Sequence, residues 1–335
     1  MNAPRRVRTL VVIVSYRTAK LTIACLRSLQ AEVEADGSIR IAVVDNASGD
    51  DAEIATAIAA NGWAGWVELI VAPRNGGFSY GNNRGIQPAM RWPQAPDYFL
   101  LLNADTETRG RSVAALVDFM DANPKVGIAG SSFENPDGSV WPFAFRFPTI
   151  ASQFEQGIRL GAVSRLLRDS IVPRTMGSQP QPVDWVAGAS MMIRREVVDT
   201  IGLMDEGYFL YFEEVDYCLQ ARRTGWPCWY VPQSRVMHIC GQSTGVSTPE
   251  QNLRPLPDYW FASRSRFFVK NHGLAYARFA DLAFGVGLAL RRLRCRLTGL
   301  QVAAPPRLLA DFWRTSVLFL RGAALRRRIG EAVDG

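Results

Sequence analysis

The feature that most restricts the fold of this 335-residue chain is an alternation of apolar runs with helical stretches up to about residue 131. In the first stretch, residues 19–34, Leu21, Cys25 and Leu29 recur at helical spacing, and residues 111–121 form another. The strand-like runs are Leu10–Val14, Ile39–Val44, Val67–Val71, Tyr98–Leu102 and Val126–Ala129. Continuous apolar strands alternating with helices predict an α/β fold with a mainly parallel sheet and helices on both faces.

Polar tips follow four of these runs, where each predicted strand ends. In open parallel sheets, ligands bind beyond the carboxyl ends of the strands. Ordinary turn chemistry explains any one tip, whereas four together favour a binding edge. The tips are Ser15–Arg17, Asp45–Asp50, Pro73–Phe78 and Asn103–Asp105.

The part from about residue 132 to 245 is less regular. Its patterns predict strands at 141–147, 183–193 (interrupted by Gly188) and 226–231, helices at 150–168 and 213–224, and a mobile loop at 173–182. A further helix is expected at 255–273.

Three carboxylates, Glu213, Glu214 and Asp216, stand within four residues beside the aromatic stretch Tyr208–Phe212. Unpaired buried charge is costly, and crowded carboxylates beside aromatic walls can raise one pKa enough to make a general base. The alternative is the charged first turn of a helix, where acidic residues complement the helix dipole. Both interpretations stay open on local sequence alone.

The net charge of +7 is confined to the end of the chain. Residues 276–335 carry eleven arginines and four acidic residues, which is +7, and the remainder balances 27 basic against 27 acidic groups. This distribution argues against a nucleic-acid-binding core and for a local electrostatic contact made by the tail. Predicted helices at 275–297 and 306–329 mix apolar residues with arginine. They suit either a membrane interface or a helical hairpin packed on the domain.

The number of cysteines and the hydropathy pattern indicate the cellular compartment in which the protein is expected. The five cysteines are odd in number and form no CxxC pair, which favours reduced thiols in the cytosol. The N-terminal apolar run Thr9–Val14 is too short for a signal peptide and is expected to be a buried strand. No membrane span is expected, because the best candidate, residues 279–290, is short and contains Asp281.

Taken in order, these motifs resemble the family 2 glycosyltransferases of the GT-A fold, and most closely the rhamnosyltransferase-like branch that builds bacterial surface polysaccharides such as O-antigen. The resemblance runs from about Val11 to Gly245 and continues more weakly to Gly273. It is carried by Val14–Tyr16, Val44–Ser48, Asn75–Phe78 with Asn82 and Gly85, Leu101–Asp105, Asp184–Gly188, the three carboxylates, and His238 followed by Gly241 and Ser243.

The resemblance implies a nucleoside diphosphate sugar donor, dTDP- or UDP-linked, and assigns donor-binding residues. Asp45 would accept hydrogen bonds from the nucleobase, and Ser15 and Tyr16 would line its pocket. Glycine has no Cβ, so the backbone at Gly76 and Gly77 could approach the ligand closely. The remaining implied donor-site residues are Asn75, Asn82, Asn103, Trp185 and Gly188. Trp185 and Gly188 would form a floor beneath the sugar or the acceptor.

The resemblance also implies a Mg²⁺ or Mn²⁺ cofactor. Asn103 and Asp105 stand where this family places its Asp-x-Asp metal motif, and Asp105 would hold the cation against the diphosphate. Asn103 replaces the first aspartate, which should weaken the metal affinity. His238 resembles a further metal ligand, although a structural histidine is the alternative.

By position, Glu214 matches the family's catalytic base in an inverting displacement. The family usually has Glu-Asp at this place, so in the pair Glu213–Glu214 the base has a longer side chain. Asp216 would orient the helix start or Arg222. Arg264 and Arg266 are candidates for phosphate contact or for a solvated helix face.

The sequence therefore predicts a metal-dependent, inverting glycosyltransferase. Residues 1–131 would bind the nucleotide sugar, 132–254 the acceptor, and 255–335 a membrane. The expected reaction moves L-rhamnose from dTDP-rhamnose to a saccharide or polyprenyl-diphosphate-linked acceptor at the inner face of the cell membrane. The anionic membrane surface is an expected partner. Alternatives are a UDP-galactofuranose or UDP-hexose donor, or a catalytically impaired polysaccharide-binding scaffold.

Overall fold

A computed structural model describes residues 6–141, 143–239, 254–300 and 304–330. Cys240, Gly241 and Ser243 lie outside the described residues. The chain forms two compact units: residues 1–145, 175–206 and 217–243 make the first, and 146–174, 207–216 and 244–335 the second. These limits differ from the expected boundaries at 131 and 254, and the division by function stays a prediction.

The chain contains strands and helices in the following order. The strands are β1 Thr9–Ser15, β2 Ile39–Asp45, β3 Val67–Val71, β4 Tyr98–Asn103, β5 Thr106–Arg109, β6 Ile128–Glu134, β7 Val140–Trp141, β8 Phe143–Phe145, β9 Pro173–Thr175, β10 Gln181–Val183, β11 Ser190–Arg194 and β12 Cys228–His238. The helices are α1 Ala19–Ala35, α2 Asp51–Ala60, α3 Gly77–Ala89, α4 Ser112–Ala122, α5 Ile150–Ile158, α6 Gly161–Leu166, α7 Arg195–Ile201, α8 Glu213–Arg223, α9 Asp258–Thr298, α10 Leu308–Thr315 and α11 Gly322–Arg328.

One sheet of the first unit carries the strands in the order β10-β12-β6-β11-β4-β1-β2-β3, with β5 beside β12 and β7 beside β6. The pairs β4-β1, β1-β2 and β2-β3 are parallel, as is β6-β12. However, β11 runs antiparallel to both β4 and β6. The sheet is therefore mixed beyond β4. An apolar run covered on both faces reads alike in either direction, so the sequence pattern could not reveal this reversal.

Helices cover both faces of the parallel half, as predicted. Val11 and Ile13 of β1 belong to the core that includes Leu26 of α1. The next residues along the strand point the other way, towards α3. A Cβ added at Gly81 would lie 2.6 Å from Val14, and one at Gly85 would lie 2.6 Å from Val12. These two glycines therefore let α3 lie directly on the sheet.

Two predictions for the irregular part are wrong. The segment 173–182, expected to be a mobile loop, contains β9 and the start of β10, which pairs with β12. Pro182 is tolerated there because β10 is the edge of the sheet. The expected helix at 150–168 is broken at Arg159, whose φ of 43° ends α5 before α6 begins.

Helix α9 dominates the second unit and crosses α5 closely. It has a break at Gly273 (φ 84°, ψ 164°), which matches the two helices expected on either side of that residue. A Cβ added at Gly157 would lie 2.5 Å from the Phe284 carbonyl oxygen, so small residues permit this crossing. In place of one helix at 306–329, the structure has α10 and α11, because Ser316 adopts an extended conformation after Thr315.

By length and composition alone, α9 qualifies as a membrane-crossing helix, contrary to the expectation of no such segment. A buried helix of a soluble core meets the same criterion, so this finding does not establish a span. The helix carries a buried ion pair between Arg264 and Asp281, which are 2% and 1% exposed.

Candidate functional site

The ends of three parallel strands lie side by side in the first unit. Ser15 at the end of β1 is in register with Asp45 at the end of β2, and Val14 is in register with Asn103 at the end of β4. Neighbouring strands in a sheet are about 4.8 Å apart. The tips after β1, β2 and β4 therefore converge on one edge, as the sequence predicted.

A carboxylate, an imidazole and an amide gather beside the end of β4. The Nε2 atom of His238 lies 3.3 Å from Oδ1 of Asp105 and 3.5 Å from Nδ2 of Asn103. Pairing of β12 with β5 fixes this arrangement, because His238 is in register with Thr106. The backbone N–H of Ile239 also donates to the Asp105 carbonyl oxygen, at 3.0 Å. Residues 135 positions apart in sequence thus meet at one point.

This cluster suits a divalent cation whose other ligands come from a substrate. Among the described residues, no three His, Cys, Asp or Glu side chains gather closely enough to hold a metal ion. Asp105 and His238 supply two adjacent donors, and the amide of Asn103 can turn its oxygen towards them, because its orientation is assigned from hydrogen bonding. Mg²⁺ is commonly bound by one or two carboxylates together with substrate phosphates. The donor set fits such a partly completed shell.

Asn46 and Asn75 lock the loops after β2 and β3 together. Nδ2 of Asn46 donates to Oδ1 of Asn75 and to the Gly77 carbonyl oxygen, each at 3.0 Å. Oδ1 of Asn75 also accepts from the Gly77 N–H at 3.0 Å. Gly77 has a φ of 87°, which favours glycine, and a Cβ at Gly76 would clash with Tyr80. Asn46 was not among the predicted site residues, although it stands within the quoted motif.

Asp45 and Ser15 are used inside their own loops. Asp45 is 1% exposed, and its carboxylate accepts hydrogen bonds from the hydroxyl and the N–H of Ser48. Ser15 is 0% exposed, and its hydroxyl bonds to those of Thr18 and Thr22 at 3.2 and 3.0 Å. The role of Ser15 in lining the nucleobase pocket stays a prediction. Tyr16 is half-buried beneath the guanidinium of Arg17.

The start of α3 presents amides and arginines. Asn82 donates to the Phe78 carbonyl oxygen at 3.0 Å, while its buried Oδ1 has no hydrogen-bond partner among the residues that the structure describes. The guanidinium groups of Arg74 and Arg84 lie 4.5 and 4.6 Å from the ring centroid of Tyr80. A buried acceptor without a partner is costly, and the role of Asn82 in donor binding stays a prediction.

Trp185 and Gly188 precede β11. The Trp185 ring stacks on Phe145 with centroids 4.1 Å apart and an interplanar angle of 15°. Nη1 of Arg222 donates to Asp184 at 2.7 Å, which anchors the preceding residue. Gly188 is buried. The roles of Trp185 and Gly188 as a floor beneath the sugar stay a prediction.

The three carboxylates of the second unit differ in their surroundings. Glu213 is 5% exposed, and its Oε2 has no hydrogen-bond partner within the described part of the chain. Burial, and then the charge of Glu214, raise the pKa of Glu213 well above its usual range. Glu214 is partly exposed. This shift favours the protonated form of Glu213, and Glu214 is the more exposed residue of the pair.

Asp216, which was expected to orient the helix start or Arg222, bonds to two residues of α9. Its oxygens accept from Nζ of Lys270 and from Nδ2 of Asn271, each at 2.6 Å. Just before Glu213, Tyr211 and Phe212 have φ values of 71° and 68°. Such left-handed conformations cost about 1–3 kcal/mol each and cluster at functional sites. The backbone that presents the Glu213–Glu214 pair is therefore strained.

Arg264 and Arg266, expected to contact phosphate or to lie on a solvated helix face, both bond to protein groups, and phosphate contact by Arg266 stays a prediction. Arg264 is buried, pairs with Asp281, and donates from Nε and Nη2 to Oε1 of Gln153 at 3.0 and 2.8 Å. A solvated helix face is wrong for Arg264, and its guanidinium is satisfied by protein groups. Arg266 donates to the Ile329 carbonyl oxygen and lies over the Tyr208 ring.

The predicted site residues thus fall in two sets. Asp45, Asn75, Asn103, Asp105 and His238 belong to the first unit, whereas Glu213, Glu214 and Asp216 belong to the second. That the two sets serve one cleft stays a prediction.

Comparison with known proteins defines the class. Residues 4–255 match the family described as glycosyltransferase like family 2. The chain therefore belongs to this family. The predicted GT-A fold is confirmed by similarity to a solved structure of GalNAc-T7 with UDP, GalNAc and Mn²⁺. The two chains are 17% identical, the match covers 93% of this chain and 57% of the GalNAc-T7 chain, and the TM-score is 0.56.

Two relatives of the chain are rhamnosyltransferases by name. One is an N-acetylglucosaminyl-diphospho-decaprenol L-rhamnosyltransferase of Mycobacterium tuberculosis, 31% identical over 155 residues, which is 46% of this chain and 50% of the relative. The other is a dTDP-rhamnosyl transferase, RfbF, of Shigella flexneri, 24% identical over 212 residues, which is 62% of this chain and 64% of the relative. The match thus spans about half the length of the first relative and less than two thirds of the second.

Proposed function

We propose that the protein transfers L-rhamnose from dTDP-rhamnose, with inversion, to a saccharide or polyprenyl-diphosphate-linked acceptor in surface-polysaccharide synthesis. The observation that carries this proposal is the meeting of Asp105 with His238 beside the converging ends of β1, β2 and β4. The names of the two relatives support the choice of sugar and of a lipid-linked acceptor.

Asp105 and His238 would hold Mg²⁺ or Mn²⁺, with the amide oxygen of Asn103 nearby. The Mn²⁺ named with GalNAc-T7 supports a divalent cation. When bound, this cation supplies positive charge that stabilises the departing diphosphate. Because Asn103 is a neutral amide, the protein supplies less negative charge to the cation than two aspartates would. The affinity for the cation should therefore depend strongly on the bound diphosphate.

On the donor side, the Asn46–Asn75 contact holds the loops after β2 and β3 in place, and the Gly76–Gly77 backbone admits the donor closely. Asn82 would accept a hydrogen bond from the donor, because its buried Oδ1 needs a donor group. Asp45 would read the nucleobase after exchanging its bond from Ser48 for one from the base edge.

Glu214 would take the proton from the acceptor hydroxyl as that oxygen attacks the anomeric carbon. Glu213 would support this role because its raised pKa favours the neutral form, and one negative charge in the pair is tolerable where two would repel each other. Asp216, bound to Lys270 and Asn271, fixes the first turn of α8.

The acceptor chemistry calls for a membrane, and the C-terminal region has the matching charge. Residues 276–335 carry a net charge of +7, and each basic residue near an anionic leaflet contributes about 1 kcal/mol. We therefore place the protein in the cytoplasm, peripherally at the inner face of the cell membrane.

The experiment measures release of nucleoside diphosphate and labelling of a GlcNAc-diphospho-polyprenol analogue. Donors are dTDP-rhamnose, UDP-galactofuranose and UDP-glucose, each with Mn²⁺, Mg²⁺ or a chelator. Cation-dependent transfer from dTDP-rhamnose is expected. Transfer only from a UDP sugar would reassign the donor. Donor binding without turnover under any condition would favour the scaffold alternative and overturn the proposed activity.

A further inference from the structure

Exposed large apolar side chains are concentrated in the second unit. Of fourteen such side chains among the described residues, eleven belong to this unit. They are Leu160, Leu166, Phe209, Phe279, Leu282, Val286, Leu290, Leu293, Leu297, Leu300 and Phe319. Large contiguous apolar surface marks an interaction site. This concentration therefore points to a partner for the second unit.

Six of these residues form one continuous face of α9, which we call the α9 stripe. They are Phe279, Leu282, Val286, Leu290, Leu293 and Leu297, and they are 39–79% exposed. Their spacings of three and four residues match the helical repeat, so they fall within an arc of about 80°. At 1.5 Å per residue, the stripe is about 27 Å long.

The opposite face of the same helix is covered by protein. Ala277, Asp281, Phe284, Leu288, Arg291 and Cys295 are all buried. Phe284 and Leu288 belong to a core with Phe261 and Phe312. A helix that is apolar all round is normally buried on every side. Here only one face of the helix is buried. The described part of the chain does not cover the α9 stripe.

The charge beside the stripe selects the partner. Arg292 and Arg296 are exposed, one helical turn apart, next to Leu293 and Leu297. Long basic side chains can keep their charge at a lipid headgroup while their stems cover apolar surface. An apolar stripe flanked by arginines, in a region of net charge +7, matches an anionic lipid surface.

We propose that the α9 stripe inserts into one leaflet of an anionic membrane, with α9 lying along the surface rather than across it. This inference rests on the membrane association proposed above and identifies the surface that performs it. The flat orientation follows from the buried face. Asp281 accepts from Arg264, from the Ser316 hydroxyl at 2.6 Å and from the Val317 N–H at 2.8 Å. A spanning helix would have to give up these bonds.

The test is a scan of single cysteines carrying an environment-sensitive NBD fluorophore, in the full-length chain with Cys240→Ser. The four native cysteines within the described residues are buried, so labelling is confined to the introduced thiol. Labels replace Leu282, Val286, Leu290, Leu293 and Leu297 in the stripe, and Ala289, Arg292 and Arg296 beside it. The matched control is Val140→Cys, at a residue of the first unit that is 54% exposed.

With vesicles that contain phosphatidylglycerol, blue-shifted emission is expected at the stripe positions, weaker beside them, and absent at residue 140. A shift without vesicles that grows with protein concentration would assign the stripe to a second copy of the chain. Equal shifts all round the helix would indicate a span. Vesicle binding with no shift at the stripe would assign binding to another surface. Each of these three results overturns the proposal.

Paired variants extend the test to affinity. Leu290→Ser with Leu293→Ser should weaken vesicle binding about tenfold or more, because apolar burial is lost, whereas Val140→Ser should leave it unchanged. If high salt abolished vesicle binding completely, the contact would be purely electrostatic, without insertion of the stripe. Transfer to a water-soluble acceptor is measured on the same variants. Its absence in every variant, including the unaltered chain, would reject the sugar chemistry without affecting the membrane result.

Discussion

Nε2 of His238 lies 3.3 Å from Oδ1 of Asp105, although the two residues are 133 positions apart in sequence. The contact forms because β12 carries His238 alongside β5, which directly follows Asp105. Both side chains are mostly buried, at 14% and 8% exposure. A neighbouring carboxylate and imidazole in this position are the contact on which the proposed cation site depends.

Asp105→Asn should lower the rate of transfer by at least about a hundredfold, because it removes the only carboxylate of the proposed cation site. Asn103→Asp should act in the opposite direction and lower the Mn²⁺ concentration needed for half-maximal rate, since it adds a charged ligand. Both follow from titrations of rate against Mn²⁺. Unchanged Mn²⁺ dependence in Asn103→Asp would move the site away from this tip.

Glu214→Gln should reduce transfer by about 10²–10⁴-fold while preserving donor binding, since it removes the proposed base. Glu213→Gln is the matched control. It should retain most of the activity, because the raised pKa of Glu213 favours its neutral form, which glutamine resembles. Single-turnover rates and donor affinities separate the two effects. A severe loss in Glu213→Gln with a mild loss in Glu214→Gln would exchange their roles.

Glu213 also predicts a pH effect on stability. Its pKa is raised in the folded protein by burial and by Glu214, so the folded state binds the proton more tightly than the unfolded state. Its contribution is therefore fully present below the ordinary glutamate pKa and is lost as the pH rises through the higher folded value. Urea unfolding of Glu213→Gln between pH 4 and pH 8 (about the range over which carboxylates and their raised forms titrate) should show a flatter pH dependence than the unaltered chain. An identical slope would show that Glu213 ionises normally.

The buried ion pair between Arg264 and Asp281 should be essential for the stability of the second unit. Asp281→Ala should destabilise it by about 3–5 kcal/mol, because the buried guanidinium loses its counter-charge. The double variant Arg264→Met with Asp281→Leu should lose less, since no charge is then left buried. Urea unfolding followed by tryptophan fluorescence measures both. Equal or greater loss in the double variant would assign the effect to packing rather than charge.

Local sequence was sufficient for the strands that build the binding edge. The runs ending at Ser15, Asp45 and Asn103 are continuous and apolar, and parallel pairing puts their ends together. By contrast, β5, with the sequence Thr106–Arg109, has no apolar pattern and was missed. It forms because β12 pairs with it.

Side-chain partners distant in sequence were beyond prediction. Asp216 binds Lys270 and Asn271, more than fifty residues further along, and nothing local to α8 indicates them. The burial of Ser15 also could not be anticipated, because Thr18 and Thr22 enclose it only after α1 folds back on the tip. The sequence therefore predicts which residue types stand at the candidate site. It does not predict their burial or their hydrogen-bond partners, which decide their roles.

A crystal grown with Mn²⁺ and dTDP, measured for anomalous scattering, tests the central claim most directly. The account predicts a Mn²⁺ peak about 2.1 Å from a carboxylate oxygen of Asp105, with His238 as a ligand, dTDP phosphate on the cation and Glu214 facing the same cleft. Mn²⁺ bound at another place, or Glu214 turned to bulk solvent away from the nucleotide, would contradict it.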